Sequence, residues 1–338
     1  MDMDYNLKKS VSIIMPVFNA EIYLKESIES ILAQSFSDFE FIIINDGSTD
    51  NSLNIINSYA SKDSRIVVLS RENRGLVESL NDGLSLAKGK YIARMDADDI
   101  SNVYRLEKQI DFLEKNSDID ILGTQVNVIA NDEDEKIRIE KKLNIEFSAE
   151  ECRKELLTNW YCLAHPSIVL RKKVIDVIGG YGNYRAEDLD LWLRAIKNGF
   201  KIHKLDEKLL EYRIHDESKT KLDNINYNGI KDGITIKVKD VFSDIPEKTL
   251  NYFVWGASIG GEITKEVVTN QINNSKCIGF VDKFKSGKFN GIDIYNKSQI
   301  SNLDFDYVFI ATEPGKAEAM SYLGSIGLSN LKDYLCTI

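Results

Sequence analysis

Cysteine is scarce and scattered. Only four occur in 338 residues, Cys152, Cys162, Cys277 and Cys336, and no two stand in C-x-x-C spacing. That excludes a disulfide framework and a thiolate zinc cluster as organising devices, and a reducing cytoplasm fits best. Long apolar runs are missing too. No stretch approaches the roughly 18 residues that a membrane-spanning helix needs. The opening MDMDYNLKKS holds no apolar signal core, so any membrane contact is expected to be peripheral. Positive charge is in deficit: 43 Lys and Arg face 53 Asp and Glu, a formal net charge of -10. Broad nucleic-acid binding leans on cations that neutralise phosphate, and this balance argues against it. Aromatic and aliphatic content is that of a globular protein, and the length allows two or three domains.

What is present, from Val11 onward, is an alternation of short apolar runs with helical patterns. That is the mark of an α/β fold with a mostly parallel sheet covered by helices. VSIIMPVF reads as a first buried strand. Asn19 then stands where it can cap a helix through Gln34, with Ile22, Ile28, Ile31 and Leu32 on its apolar side. FEFIIIND is a second strand followed by the turn GSTDNS, and RIVVLS is a third. GLVESLNDGLSLAKG is a helix ended by Gly89, and YIARM a fourth strand. NDEDEKIRIEKK, from Asn131, reads as a solvated charged loop or hairpin. SIVLRKKVIDVIGGYG, AEDLDLWLRAIKNG and FKIHKLDEKLLEYRIH resume the alternation and complete a first domain over residues 1–216. Residues 217–247 are polar and irregular, a connector with some helix. Residues 248–338 make a small Rossmann-like α/β module from TLNYFVWGASIGGEITKEVV, KCIGFVD, GIDIY and DYVFIAT. Its Gly256, Gly260 and Gly261 give G-x-x-x-G-G, which departs from the G-x-G-x-x-G dinucleotide fingerprint. Scaffold and small-ligand pocket are equally open for that turn.

The densest chemistry lies in YIARMDADD, Tyr91 to Asp99, where a buried strand runs into three carboxylates. They sit at the carboxyl end of a parallel strand, where open α/β sheets bind ligands. Three acids this close repel one another unless a cation or donor lies between them. Mg2+ or Mn2+ is often held by one or two carboxylates together with a substrate's phosphate oxygens. A helix N-terminus is the alternative, because Asp98, Asp99 and Ser101 are all good caps for SNVYRLEKQIDFLEKN. Two further strand ends favour the ligand: Pro16-Val17-Phe18-Asn19 and Asn45-Asp46-Gly47-Ser48 carry polar groups suited to a nucleotide.

Taken in order, VSIIMPVFNAEIYLKESIESILAQSF, NDGSTDNS, ARMDADD, HPSIVLRKKVIDVIGGYG, AEDLDLWLR and YRIH resemble glycosyltransferase family 2, from about Val11 to His215. The resemblance implies an A-type glycosyltransferase fold (GT-A), here with the additional C-terminal module. It implies that Pro16, Val17, Asn19 and Asp46 hold the nucleotide, with Asp46 at the base. Asp96 would face the donor ribose or sugar. Asp98 would ligate Mn2+ or Mg2+ bridging the diphosphate, with Asp99 supporting. Glu187 and Asp188 resemble the family's acidic pair, with Asp188 the general base; favourable charge in a helix's first turn is their other reading. Arg213 and His215 resemble the late arginine and histidine near the diphosphate and metal. Position 45 is Asn where the family often has Asp. Leu80 stands where it often has arginine, so Arg74 or Arg94 is left to supply that charge.

The implied function is an inverting, metal-dependent glycosyltransferase that moves a sugar from a UDP-sugar to a glycan or lipid-linked acceptor in surface polysaccharide assembly. It would work in the cytoplasm or at the inner face of the membrane, without nucleic acid. The C-terminal module would be free to carry a homo-oligomer contact or an assembly partner. A sugar-1-phosphate nucleotidyltransferase is the nearest enzyme alternative, but VSIIMPVFNAEIYL lacks a glycine- and arginine-rich phosphate loop. A non-catalytic nucleotide-sugar sensing or assembly protein is the other. Specificity is expected in the loops Asn131 to Ser148 and Gly179 to Arg185.

Overall fold

A computed structural model describes residues 10–159, 162–219, 227–243 and 248–338. Within them the chain forms two compact units. One comprises residues 10–152, 162–183 and 190–218; the other comprises residues 153–159, 184–189, 219, 227–243 and 248–338.

The first unit is built on eight strands: β1 (Val11–Val17), β2 (Phe39–Asp46), β3 (Ile66–Arg71), β4 (Tyr91–Arg94), β5 (Ile100–Ser101), β6 (Ile121–Ile129), β7 (Val169–Arg171) and β8 (Ile202–Arg213). Their order is β3-β2-β1-β4-β7-β6-β8-β5. β1 pairs in parallel with β2 and β4, and β2 with β3. β7 runs antiparallel between β4 and β6, while β6 and β8 are parallel again. Every residue of β1 and β2 is buried, as expected of parallel strands covered on both faces, and this is why their apolar runs are nearly continuous. The parallel register sets Val17 opposite Asn45 at the carboxyl ends of β1 and β2, and Arg94, the last residue of β4, opposite Ile14, so the chain after β4 runs out on the same side of the sheet as the β1 and β2 loops.

Two local readings change. The first helix is Leu24–Leu32 and Asn19 does not cap it; its N-cap is Tyr23, without a side-chain cap bond. Asn19 instead takes a left-handed backbone, φ 49°, which asparagine tolerates better than most residues. Its Oδ1 accepts the Thr49 N–H at 2.8 Å. The second change is Glu133–Leu143, an α-helix rather than a loop. The Asp132 side chain accepts the Glu135 N–H at 2.8 Å. Glu133, Asp134 and Glu135 then fill the first turn and Lys141 and Lys142 the last, which matches the helix dipole at both ends.

The second unit carries six strands: β9 (Leu250–Trp255), β10 (Ser275–Val281), β11 (Gly287–Phe289), β12 (Ile292–Tyr295), β13 (Tyr307–Ile310) and β14 (Tyr334–Cys336). Their order is β11-β12-β10-β9-β13-β14, and all neighbours except β11 and β12 are parallel. Counting only parallel strands by their place in the chain gives 3-2-1-4-5, a Rossmann-like winding. Phe253, Val308, Ile310, Leu323 and Cys336 lie in its core. The helix Asn228–Val241, on the expected connector, belongs to this unit. Residues 220–226 and 244–247 of that connector lie outside the described residues.

Candidate functional site

The end of β4 gathers charge. Asp96, Asp98 and Asp99 each bring a carboxylate oxygen to within 4.8 Å of the others. None of them caps the following helix, which spans Arg105–Lys115 and has Tyr104 at its N-cap. The chain between forms β5, paired antiparallel with β8, and this pairing brings the end of β8 onto the acids. The Arg213 N–H donates to Asp99 Oδ1 at 2.8 Å and its Nε–H to the Asp98 carbonyl at 2.8 Å. His215 Nε2 lies 3.0 Å from Asp98 Oδ2. Tyr23 braces both, with the Arg213 guanidinium 4.5 Å above its ring and the His215 ring centroid at 5.0 Å.

The acids differ in their surroundings. Asp99 is buried, and its Oδ2 has no hydrogen-bond partner among the described residues. Burial first, then Asp98 and Asp96, hold its carboxyl well above the ordinary carboxylate range. Asp96 is raised by desolvation and by Asp98, against the pull of Arg94 and His165. Arg94 pairs with it directly. A buried carboxylate oxygen with no donor, among three hard oxygen ligands and an imidazole, is a donor set that suits a divalent cation.

Sequence reasoning missed the cation beneath this cluster. Arg105 is fully buried and donates to Ser101 Oγ at 2.7 Å and to the Pro166 carbonyl at 2.7 Å. Burial pulls its pKa down to about 10, with Asp99 opposing. The signal was available: Arg105, Leu106, Gln109, Ile110 and Leu113 share the buried side of their helix, and a charge on an apolar stripe must find partners.

The residues expected to hold a nucleotide lie at the ends of β1 and β2 and in the loops that follow. Asp46 is buried and takes the Arg74 N–H on Oδ1 at 2.9 Å and the Gly75 N–H on Oδ2 at 2.8 Å. Arg71 pairs with Oδ1. Strand register set Arg71 opposite Asp46, a second residue that the sequence reading did not single out. Gly47 makes the turn possible: its φ is +73°, and a Cβ there would lie 2.6 Å from the Asn73 nitrogen. The loops lock together, Asn19 N–H to Ser48 Oγ at 3.1 Å and Ala20 N–H to Ser52 Oγ at 2.9 Å. Asn45 donates to Ser70 Oγ at 2.9 Å. The Arg74 side chain turns outward to Glu78 at 2.7 Å, so its backbone, not its guanidinium, meets Asp46. Leu80 is core. Pro16 and Val17 are the buried end of β1. His165 Nε2 lies 2.9 Å from the Tyr181 hydroxyl and the ring packs edge-on against Trp192.

Glu187 and Asp188 open the helix Glu187–Lys197 and are grouped with the second unit. Glu187 is buried and its Oε2 lies 3.2 Å from Lys219 Nζ. Burial, then Glu187, push the Asp188 carboxyl up to about 6; the Leu189 N–H and Lys219 act the other way. A carboxylate poised there is largely ionised at neutral pH yet basic enough to take a proton.

Residues 12–179 match the family described as Glycosyl transferase family 2, and residues 248–332 one described as C2185-like, N-terminal. The O-antigen biosynthesis glycosyltransferase WbnJ of Escherichia coli is 35% identical over 223 residues, 65% of this chain and 85% of that protein. Among solved structures, S. aureus TarS 1-349 in complex with UDP-GlcNAc aligns with a TM-score of 0.55 at 16% identity, over 94% of this chain and 80% of that one. The mannosyltransferase PcManGT from Pyrobaculum calidifontis, in complex with GDP-Man and Mn2+, aligns with a TM-score of 0.53 at 13% identity, over 71% and 66%. At such identities these two likenesses speak for the fold alone.

Proposed function

The chain belongs to glycosyltransferase family 2, and on that premise we propose that it transfers a sugar from a nucleotide sugar, UDP-linked by preference, to a hydroxyl of a glycan or lipid-linked acceptor in surface polysaccharide assembly, inverting the anomeric carbon. The observation that carries the reading is the meeting of Asp96, Asp98 and Asp99 with Arg213 and His215 at the end of β4. The O-antigen role named for WbnJ supports the class of product. No helix among the described residues is long and apolar enough to cross a membrane. Action in the cytoplasm, peripheral to the inner face where lipid-linked acceptors lie, is part of the proposal.

Each residue then has a task. Asp46 Oδ2 accepts one backbone N–H and keeps lone-pair capacity for the imide hydrogen of a uracil base. Asp96, tied to Arg94, faces the donor ribose or sugar. Asp98 and His215 would hold Mn2+ or Mg2+, with Asp96 and Asp99 beside them. That ion would neutralise negative charge on the departing diphosphate, as its presence beside GDP-Man in PcManGT suggests. Arg213 anchors the acidic loop through the Asp98 carbonyl and adds positive charge on the same side. Asp188 takes the proton of the acceptor hydroxyl as its oxygen attacks the anomeric carbon, and Glu187 keeps its carboxyl basic. One base without a carboxylate nucleophile gives a single displacement. In this scheme residues 1–216 supply most of the site, 217–247 connect, and 248–338 serve another purpose.

The test is to incubate the purified chain with a panel of nucleotide sugars and Mn2+, with and without glycan acceptors, and to measure nucleotide release. Release from one UDP-sugar that rises with acceptor is expected. Binding without acceptor-dependent release would overturn transfer in favour of sensing.

A further inference from the structure

The second unit has a cavity of its own. It encloses about 600 Å3, within the range of small-molecule sites, and lies at the carboxyl ends of the parallel strands. The chain lays down β9, β10 and β12 toward one edge and then returns to place β13 on the other side of β9. The strand order therefore reverses between β9 and β13, which is where open α/β sheets leave a ligand crevice. Gly256, just after β9, and Thr312, just after β13, both line the cavity. Gly256 has φ +117°, and a Cβ there would lie 2.9 Å from the Ala311 carbonyl oxygen and 3.2 Å from Thr312 Cβ. Any other residue would strain the turn and fill the crevice.

The walls carry three kinds of chemistry. Lys283 and Lys297 converge on Glu318, with Nζ to carboxylate distances of 3.2 and 2.5 Å, one to each oxygen. The Glu318 side chain is 34% exposed, so two ammonium groups already frame a position for an anion at the cavity wall. Asp282 follows β10. Its Oδ1 accepts the Phe284 and Lys285 N–H groups at 2.9 and 3.0 Å, and its Oδ2 accepts Ala257 N–H at 3.0 Å. It ties two loops together and retains acceptor capacity on Oδ2 for a hydroxyl. Two rings complete the wall. Trp255 is buried against Tyr322, whereas Phe284 is 89% exposed, a flat apolar surface at the mouth.

We propose that this cavity binds a nucleoside phosphate: the phosphate taken by Lys283 and Lys297 in exchange for Glu318, a ribose hydroxyl by Asp282, and the base against Phe284. The site is separate from the donor site proposed above, because none of its residues belongs to that set, and it stands whether or not the chain proves to be a transferase.

Calorimetry on the full chain in excess chelator, titrated with UMP and AMP, tests it. A Kd below about 1 mM is expected for at least one of them. Lys283→Ala/Lys297→Ala should weaken it about tenfold or more, since a charge-assisted contact is lost. Phe284→Ala should weaken it by a smaller factor. The substituted side chains are on the surface, and unchanged thermal melts confirm folding. Inorganic phosphate and glucose 1-phosphate should bind less well, for want of a base. No binding by either nucleotide, or affinity untouched in the double-lysine variant, would overturn the site. Glucose 1-phosphate binding as tightly as the nucleotides would overturn its assignment to a nucleoside.

Discussion

Replacing Asp188 by Asn preserves size and shape and removes the carboxylate's charge together with its ability to take a proton. Burial and Glu187 lift the Asp188 carboxyl to about 6, so as a base it is about nine-tenths ionised at pH 7 and about one-tenth at pH 5. The wild-type transfer rate at saturating donor and acceptor should therefore climb about tenfold per pH unit up to about 6 and then level. Asp188→Asn should lower the plateau by about 10²-fold or more and flatten the acid limb, while UDP affinity by calorimetry stays nearly unchanged. The same shift has a stability signature. Because the folded pKa lies above the unfolded value, the fold favours the neutral carboxyl, and that contribution is complete below about 4 and lost as pH rises through 6. At neutral pH the ionised group costs on the order of 3 kcal/mol, so the Asn variant should melt higher than wild type at pH 8 and equally at pH 4. Near-wild-type transfer with the acid limb intact would refute the base assignment. An equal loss of affinity and rate would refute it as well, in favour of donor positioning.

Other expectations follow from single contacts. Gly47→Ala forces a Cβ toward the Asn73 nitrogen at φ +73°, so it should cost about 1–3 kcal/mol by denaturant melt and weaken UDP binding. Arg105→Leu leaves the buried Ser101 hydroxyl and Pro166 carbonyl without the donor that Arg105 supplies, so a loss of about 1–3 kcal/mol is expected. An unchanged melting curve would contradict the buried network. A chain ending at Ser243 loses partners of the described segment Arg153–Asn159: Lys316 to the Thr158 carbonyl at 3.3 Å and Asn330 to Thr158 Oγ1 at 3.0 Å. It also strips the Cys336 carbonyl from the buried Lys237. Light scattering should show aggregation of that truncated chain.

The strand ends were legible because parallel strands buried on both faces write continuous apolar runs, and each run stops at its polar loop. VSIIMPVF, FEFIIIND and YIARM therefore sit within a few residues of β1, β2 and β4. Helix boundaries were less visible. Asn19 looked like a cap because its side chain suits one, yet its Oδ1 is committed to Thr49 from a neighbouring loop, a partner set by tertiary structure. Glu133–Leu143 looked like a loop because its apolar positions are few; its stability lies in its caps and terminal charges. Asp98 and Asp99 could be read as caps until β5 was seen to separate them from the helix. Long-range partners such as Arg71 for Asp46 needed strand register, which spacing along the chain does not give.

Donor turnover in the Asp98→Asn variant is the most direct test of the metal-dependent site. A neutral amide replaces a carboxylate poorly at a hard cation, and Asn can still hydrogen-bond His215, so the fold should persist. Nucleotide release from the preferred sugar nucleotide is measured in Mn2+ and in excess chelator. Transfer by wild type only with metal, and a loss of about 10²-fold or more in the variant with Mn2+ present, is the predicted result. Full activity of Asp98→Asn, or equal wild-type activity in chelator, would contradict it.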